Sequence, residues 1–224
     1  MSITAPPAPF KRELFAQFAR IGKALSNGNR LELLEFLAQG ERDVEALARA
    51  AGLPVANTSH HLQQLRRAGL VATRRAGQRV YYRLAGDDVV GLTHALRVVG
   101  EAHLAEIDRL VATFLTSKDA LEPVPAQDLL RRARTGLVTV LDVRPREEFE
   151  AGHLPGAINV PLAELEERLG QLPRDQDVVA YCRGPYCVLA YDAVQLLRKA
   201  GFRARRLKDG YPEWKSAGLP TESS

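Results

Sequence analysis

The chain holds two cysteines, Cys182 and Cys187, and both lie in one short segment, Tyr181-Cys182-Arg183-Gly184-Pro185-Tyr186-Cys187. A cysteine becomes a nucleophile once it is a thiolate, and its sulfur can pair with a second one. An apolar run, Asp177-Val178-Val179-Ala180-Tyr181, leads into the segment, and a helical pattern over 188–200 leads out. A strand, a loop and a helix in that order gather backbone N–H groups above the helix N-terminus, where anions are stabilised. Cys182 is therefore expected to ionise readily, to lie open to solvent and to act as the nucleophile. Arg183 beside it would add positive field, and Gly184, Pro185 and Tyr186 form the loop. Pro185 has no N–H, so the loop has one donor fewer for an oxyanion. For Cys187, which closes the loop, two readings stand: a small residue capping the helix, or a resolving thiol.

The elements that must position this loop are readable around it. Apolar, β-rich runs at 138–143, 157–160, 177–181 and 203–207 alternate with helical patterns at 162–169 and 188–200. Such alternation predicts a mostly parallel sheet covered by helices, with ligands at the carboxyl ends of the strands. Cys182 falls at such an end.

The front of the chain is built differently. Leu14, Phe18, Ile21 and Leu25 mark one amphipathic helix over 10–25, and Leu31, Leu34 and Leu37 mark a second over 29–38. Val44, Leu47, Ala48 and Ala51 form a short third, stopped by Gly52, and a fourth begins near Pro54 and ends at Gly69. Strands are expected at 70–73 and 80–84, around a basic tip, Arg74-Arg75-Ala76-Gly77-Gln78-Arg79. Two short helices at a sharp turn followed by a basic hairpin are the parts of a winged helix-turn-helix. Asn57, Ser59, His60, Gln63, Arg66 and Arg67 are then the groove-facing candidates, with Arg74, Arg75 and Arg79 on the wing. Further on, Leu92, Leu96, Val99, His103, Ile107, Leu110 and Phe114 recur every three or four residues, a stripe suited to a partner helix.

With 224 residues and 46% hydrophobic content, the chain can bury two cores of about 100 residues each. No apolar run approaches the roughly 18 residues that cross a bilayer, and no export signal is visible, so a cytoplasmic protein without membrane contact is expected. Two close cysteines make no secreted disulfide framework. The net charge of +4 is uneven: lysine and arginine outnumber acidic residues 16 to 11 over 1–118, but not beyond, at 15 to 16. Between Glu45 and Asp87 there are seven arginines and no acidic residue, a balance suited to phosphate binding.

The run Ser59-His60-His61-Leu62-Gln63-Gln64-Leu65-Arg66-Arg67-Ala68-Gly69-Leu70-Val71, followed by Gly77-Gln78-Arg79-Val80-Tyr81-Tyr82-Arg83-Leu84, resembles the ArsR/SmtB-type repressors over residues 10–115. The resemblance implies a homodimer formed by the first and last helices, bound to a double-stranded DNA operator. Many members of that family sense metals, yet residues 43–51 hold no cysteine. His103-x-x-Glu106 matches half of another family site, but the upstream positions are Val90 and Leu92, which do not coordinate metal. No metal and no cofactor is expected, and His103 reads as a packed interface histidine.

Leu141-Asp142-Val143-Arg144-Pro145-Arg146-Glu147-Glu148-Phe149, Gly152-His153-Leu154-Pro155-Gly156-Ala157, Tyr181-Cys182-Arg183 and Asp209-Gly210-Tyr211-Pro212-Glu213-Trp214 together resemble the rhodanese family over 123–221. That resemblance makes Cys182 the acceptor of a sulfane sulfur, carried as a persulfide between a donor and a thiol acceptor. Asp142, Arg144 and His153 match family positions that read as supporting scaffold. Phosphatases of similar fold need Cys-x5-Arg, and the corresponding residue is Val188. The expected fold is thus mixed, in two domains: a mainly helical winged helix-turn-helix with a β-hairpin wing, then an α/β rhodanese-like domain with a mostly parallel sheet. The expected function is a DNA-binding regulator, a repressor, whose rear domain senses or transfers sulfane sulfur. The alternative is a sulfurtransferase localised or autoregulated by its DNA-binding half.

Overall fold

The computed structural model describes residues 8–116 and 123–223. Most of the expected junction, including Ser117, Lys118 and Asp119, lies outside the described residues, as do residues 1–7. The chain divides into two compact units, Met1–Val89 and Val90–Ser224. The division falls within a helix and well before the junction that composition suggests.

The first unit contains α1 (Ala8–Leu25), α2 (Gly28–Ala38), β1 (Arg42–Asp43), α3 (Val44–Ala51), α4 (Val55–Arg67), β2 (Val71–Ala76) and β3 (Arg79–Leu84). Asn27 caps α2 by accepting from the Arg30 N–H, and Asp43 caps α3 by accepting from the Ala46 N–H at 2.8 Å. Gly52 ends α3 with φ 62°, the left-handed conformation that turns the chain into α4. Leu33, Leu34, Leu37, Leu47, Leu62 and Leu65 bury against one another as the core, each contributing about 1.5–3 kcal/mol.

The three strands form an antiparallel sheet in the order β1-β3-β2. β2 and β3 pair from Val71↔Leu84 through to Ala76↔Arg79, so the turn between them is only Gly77-Gln78. The wing is therefore longer and tighter than expected. Gly77, at φ 60°, permits the two-residue turn, and the ladder then extends to Ala76 and Arg79. Arg74, Arg75 and Arg79 stand on strands rather than at a loose tip. β1, with two residues, is too short to leave a periodic signal.

The second unit takes over within α5 (Asp88–His103) and continues with α6 (Ala105–Val111) and a π-helical turn (Ala112–Thr116). The apolar stripe from Leu92 to Phe114 is thus divided among α5, α6 and the π-helical turn, with the break between the first two at Leu104. Leu104 makes the break, with extended backbone at φ -114° and ψ 92°, and a Cβ at Gly100 would sit 2.9 Å from Ile107 Cδ1 across it. His103 ends α5 and Glu106 lies in the first turn of α6, so the half-motif they form is not carried on one continuous helix.

Beyond it come α7 (Ala126–Arg134), β4 (Val138–Asp142), α8 (Arg146–Ala151), β5 (Ile158–Asn159), α9 (Leu165–Arg168), β6 (Asp177–Tyr181), α10 (Val188–Lys199), β7 (Ala204–Arg206) and α11 (Tyr211–Ser216). The sheet runs β5-β4-β6-β7 and every pairing is parallel. Both faces are covered, and successive residues feed opposite cores. Leu141, Val178, Ala180 and Cys182 pack with Ala190, Ala193 and Val194, whereas Val138, Val140, Val179 and Tyr181 pack with Leu129, Leu154 and Trp214. The short helices α7, α8 and α11 escape periodicity because each spans fewer than three turns.

Candidate functional site

β4 and β6 are neighbours in full register, Val138↔Asp177 to Asp142↔Tyr181, while the chain leaves them toward opposite edges of the sheet. Their carboxyl ends mark the point where an open α/β sheet leaves a crevice. Cys182 follows β6 at that point and is joined to Cys187 in a disulfide, with Cα atoms 6.1 Å apart. The Cys187 N–H donates to Gly184 O at 3.1 Å, which curls the loop and brings the second sulfur over the first. Cys187 is also the N-cap residue of α10, and its side chain makes no capping hydrogen bond.

Cys182 is 1% exposed. The open thiolate expected from the sequence is not what this oxidised form presents. Strand alternation explains the depth: Val178, Ala180 and Cys182 point to the same face, and that face is the core beneath α10. Cys187 is half-buried and is the more accessible of the two sulfurs' residues.

Arg183 does not aim its charge at the cysteines either. Its Nε lies 3.0 Å from both carboxylate oxygens of Glu148, and Nη2 lies 2.7 Å from Oε1. Glu148 is 1% exposed, so the guanidinium neutralises a buried carboxylate and anchors the loop to α8. The expectation of an added positive field from Arg183 gives way to this pairing. Glu148 is a site residue that sequence reasoning missed. Its signal was the acidic pair Glu147-Glu148 after Pro145, but nothing in the sequence says which of the two faces inward.

On the opposite side of the loop, the Tyr211 N–H donates to Cys182 O at 3.1 Å. Gly210 lies so close that a Cβ would fall 2.3 Å from Arg183 C and 2.4 Å from Gly184 N. Asp142 and Arg144 are both fully buried. Arg144 Nη2 donates to Asp142 Oδ2 at 2.6 Å and to Gly152 O at 2.8 Å, and its guanidinium lies 4.5 Å from the Tyr211 ring centre. Burial opposes the charge on Arg144, but the hydrogen bond and field of Asp142 outweigh it and hold the group above its ordinary value. His153 stacks on Phe149 at 3.7 Å, and its Nδ1 lies 2.8 Å from Phe149 O. Its backbone pairs with Glu222 in both directions. These three residues bind the strand end, the 152–154 turn and the C-terminal strap to one another.

In the first unit, α4 turns Thr58, Leu62 and Leu65 inward and leaves Asn57, His60, Gln63, Arg66 and Arg67 exposed, with Ser59 half-buried. Buried Arg30 fastens this helix: it donates to Gln64 Oε1 at 2.7 Å, to Lys23 O at 2.9 Å and to Ala24 O. Gln64 also contacts the His60 ring. Burial, then Arg30 and His60, lower the pKa of His61. On the wing, Arg74 makes a bidentate pair with Glu41, and Arg79 reaches Asp43 at 3.3 Å. The arginine-rich window lacks acidic residues in sequence, yet the fold returns two carboxylates to it. Arg75 lies on the other face of the hairpin, where its cross-strand partner is Val80. Among the described residues no group of three or more His, Cys, Asp or Glu side chains is arranged to hold a metal ion.

Comparison with known proteins bears on both units. Residues 27–73 match the family model for bacterial regulatory proteins of the arsR family, and residues 125–217 match the rhodanese-like domain. The chain is 51% identical over 212 residues, 95% of its own length and 93% of the other's, to the HTH-type transcriptional regulator Rv0324 of Mycobacterium tuberculosis. It belongs to the ArsR family.

This ArsR-family regulator carries its rhodanese-like domain at the C-terminal end. The chain is 34% identical over 91 residues, 40% of its length and 83% of the other's, to a sulfurtransferase of Allochromatium vinosum. A solved homodimeric winged helix-turn-helix DNA-binding domain from Mycobacterium bovis is 50% identical, covering 45% of the regulator and 94% of that chain with a TM-score of 0.42. No helix among the regulator's described residues is long and apolar enough to cross a membrane.

Proposed function

We propose that the regulator binds an operator as a homodimer and that sulfane sulfur, taken up at Cys182, changes its affinity for that DNA. The observation that carries the reading is the Cys182–Cys187 pair, set at the carboxyl end of β6 in a chain whose other unit is a winged helix-turn-helix. In the reduced protein the Cys182 thiolate attacks the outer sulfur of thiosulfate. A sulfur–sulfur bond forms, sulfite leaves with the old bonding pair, and Cys182 carries a persulfide. The Cys187 thiolate then attacks the inner sulfur of that persulfide. The disulfide forms, the outer sulfur departs as hydrosulfide, and the two cysteines have supplied the two electrons it gains. No further oxidant is required.

The half-buried Cys187 suits the return step. A cellular thiolate attacks Cys187, the disulfide breaks, and Cys182 leaves as a thiolate at the loop beside α10. A second thiolate then frees Cys187. Operator binding is assigned to the exposed face of α4 and the wing, with Arg66, Arg67 and Arg75 at phosphates or guanine edges. Exposed Phe10, Leu14, Phe15 and Phe18 on α1, and Leu92, Leu96 and Val99 on α5, supply apolar surface for a second copy.

The test is operator affinity, measured by anisotropy, before and after polysulfide treatment. We expect a change in the wild-type chain and none in Cys182→Ser. An affinity indifferent to sulfur donors in the wild-type protein overturns the reading. Likeness to a sulfurtransferase supports a second one, an enzyme tethered to DNA. Sustained turnover of thiosulfate with a thiol acceptor, abolished in Cys182→Ser, would favour it over single-event modification.

A further inference from the structure

One contact from α5 reaches the Cys182–Cys187 loop directly and a second reaches it through Asp209, and both lie within the second unit. At the Cys187 end, the Tyr186 hydroxyl donates to Glu101 Oε1. Tyr186 is the residue immediately before Cys187, so its position is tied to that sulfur. At the Cys182 end, Arg97 Nη2 donates to Asp209 Oδ1 at 3.2 Å. Asp209 precedes Gly210, which presses on the Arg183 and Gly184 backbone, and the Tyr211 N–H holds Cys182 O.

The ring closes on α5 itself. Arg97 Nη1 donates to Glu101 Oε1 at 3.2 Å, one helical turn away. Arg97 Nη2 also lies 2.8 Å from His94 Nδ1, and the Arg97 side chain is 18% exposed, so this guanidinium is held rather than solvated. Glu101 accepts from both the loop tyrosine and the arginine. A change in the separation of the two cysteines must therefore move Tyr186 relative to Glu101, stretch the Asp209 clamp, or shift α5.

We propose that Tyr186, Glu101, Arg97 and Asp209 form a relay that couples the sulfur state of the loop to α5, with Glu101 as its positioning residue. The inference rests on the sulfur-responsive reading above and names how that response leaves the loop. α5 is the natural receiver. Its residue Val89 belongs to the core of the first unit, while Arg97 and Glu101 belong to the second, so one helix is shared by sequence between them. With the disulfide closed, Tyr186 and Asp209 hold α5 at two points. With it opened, the constraint between residues 182 and 187 is lost and the two holds become independent.

Linkage makes the relay measurable from either end: whatever factor the loop's state imposes on operator affinity, operator DNA imposes on the loop's disulfide–dithiol equilibrium. The full-length protein would be equilibrated in oxidised and reduced dithiothreitol buffers, with and without operator DNA, and the disulfide fraction counted by alkylation and mass spectrometry. For the wild-type chain we expect operator to shift the equilibrium by about tenfold, matched by the shift in operator affinity. In Glu101→Ala, and in the milder Glu101→Gln, we expect the shift to fall within about twofold of unity, with the disulfide still forming and the operator still bound. Tyr186→Phe, which keeps the ring and removes the donor, should add nothing further to Glu101→Ala.

A wild-type shift that survives unchanged in Glu101→Gln and Tyr186→Phe overturns the relay and leaves the sulfur response standing. Absence of any shift in the wild-type chain overturns both. Loss of the shift in Tyr186→Phe alone, with Glu101→Gln unaffected, also overturns the relay, because the tyrosine would then act through another partner.

Discussion

Gly210 makes the loop possible by having no side chain. Its Cα lies against the Arg183–Gly184 peptide, and because the crowding atoms are backbone, neither neighbour can rotate away. Gly210→Ala should therefore displace the loop and cost about 1–3 kcal/mol. Urea unfolding of the reduced and oxidised protein would check this, and a midpoint unchanged in both forms would contradict it. At this scale the residues were legible while their setting was not. The two cysteines and their loop could be read directly. That Cys182 points into the core follows from the parity of Val178, Ala180 and Cys182 along β6, which becomes decisive only once α10 covers that face. That Arg183 serves Glu148 instead of the sulfur depends on α8, a helix of six residues with no periodic signature.

Among the elements, the wing shows how pairing redistributes charge. All three wing arginines are exposed, but Arg74 and Arg79 are engaged by Glu41 and Asp43, whereas Arg75 lies on the opposite face. Arg75→Ala should reduce the slope of log affinity against log salt by about one, uniformly across operator sequences. Arg74→Ala should reduce it less, because part of its charge is already offset. Equal slopes for the two variants would contradict this assignment. Another element-level tie is Asp177, at the start of β6, which accepts from Arg132 of α7 at 2.6 Å and from Arg203, just before β7, at 2.7 Å. Burial acts to raise its pKa, but the hydrogen bonds from the two arginines outweigh it and leave the carboxyl below its ordinary 3.8. A depressed folded value means the stabilisation is present above the unfolded value and is lost as pH falls through the folded one. Stability of the wild-type chain should therefore decline below about pH 4 more steeply than that of Asp177→Asn, as read from urea midpoints across pH.

For the molecule as a whole, α1 leaves Phe10, Leu14, Phe15 and Phe18 exposed, and α5 leaves Leu92, Leu96 and Val99 exposed. Phe18, 57% exposed, sits in the α1 face. Phe18→Glu should yield a monomer in sedimentation velocity and weaken operator binding by more than about tenfold, since two half-sites are no longer engaged together. A dimer that persists, or a monomer that binds as well, would remove α1 from the interface. Two architectures in one chain were readable because each writes its own period: 3.6 residues in the front helices, and 2 or unbroken apolar runs in the rear strands.

By its sequence alone this protein determined two things: two cysteines in one loop at the end of a parallel strand, and a basic winged helix ahead of it. Both are local patterns, set by spacing along the backbone. The tertiary structure decided what contiguity cannot encode: the closing of Cys187 onto Cys182, the burial of Cys182, the return of Glu41 and Asp43 to the wing, and the meeting of Tyr186 with Glu101 across 85 positions of chain. Contacts between residues far apart in sequence form only when the packed core of each unit has set the distances between them.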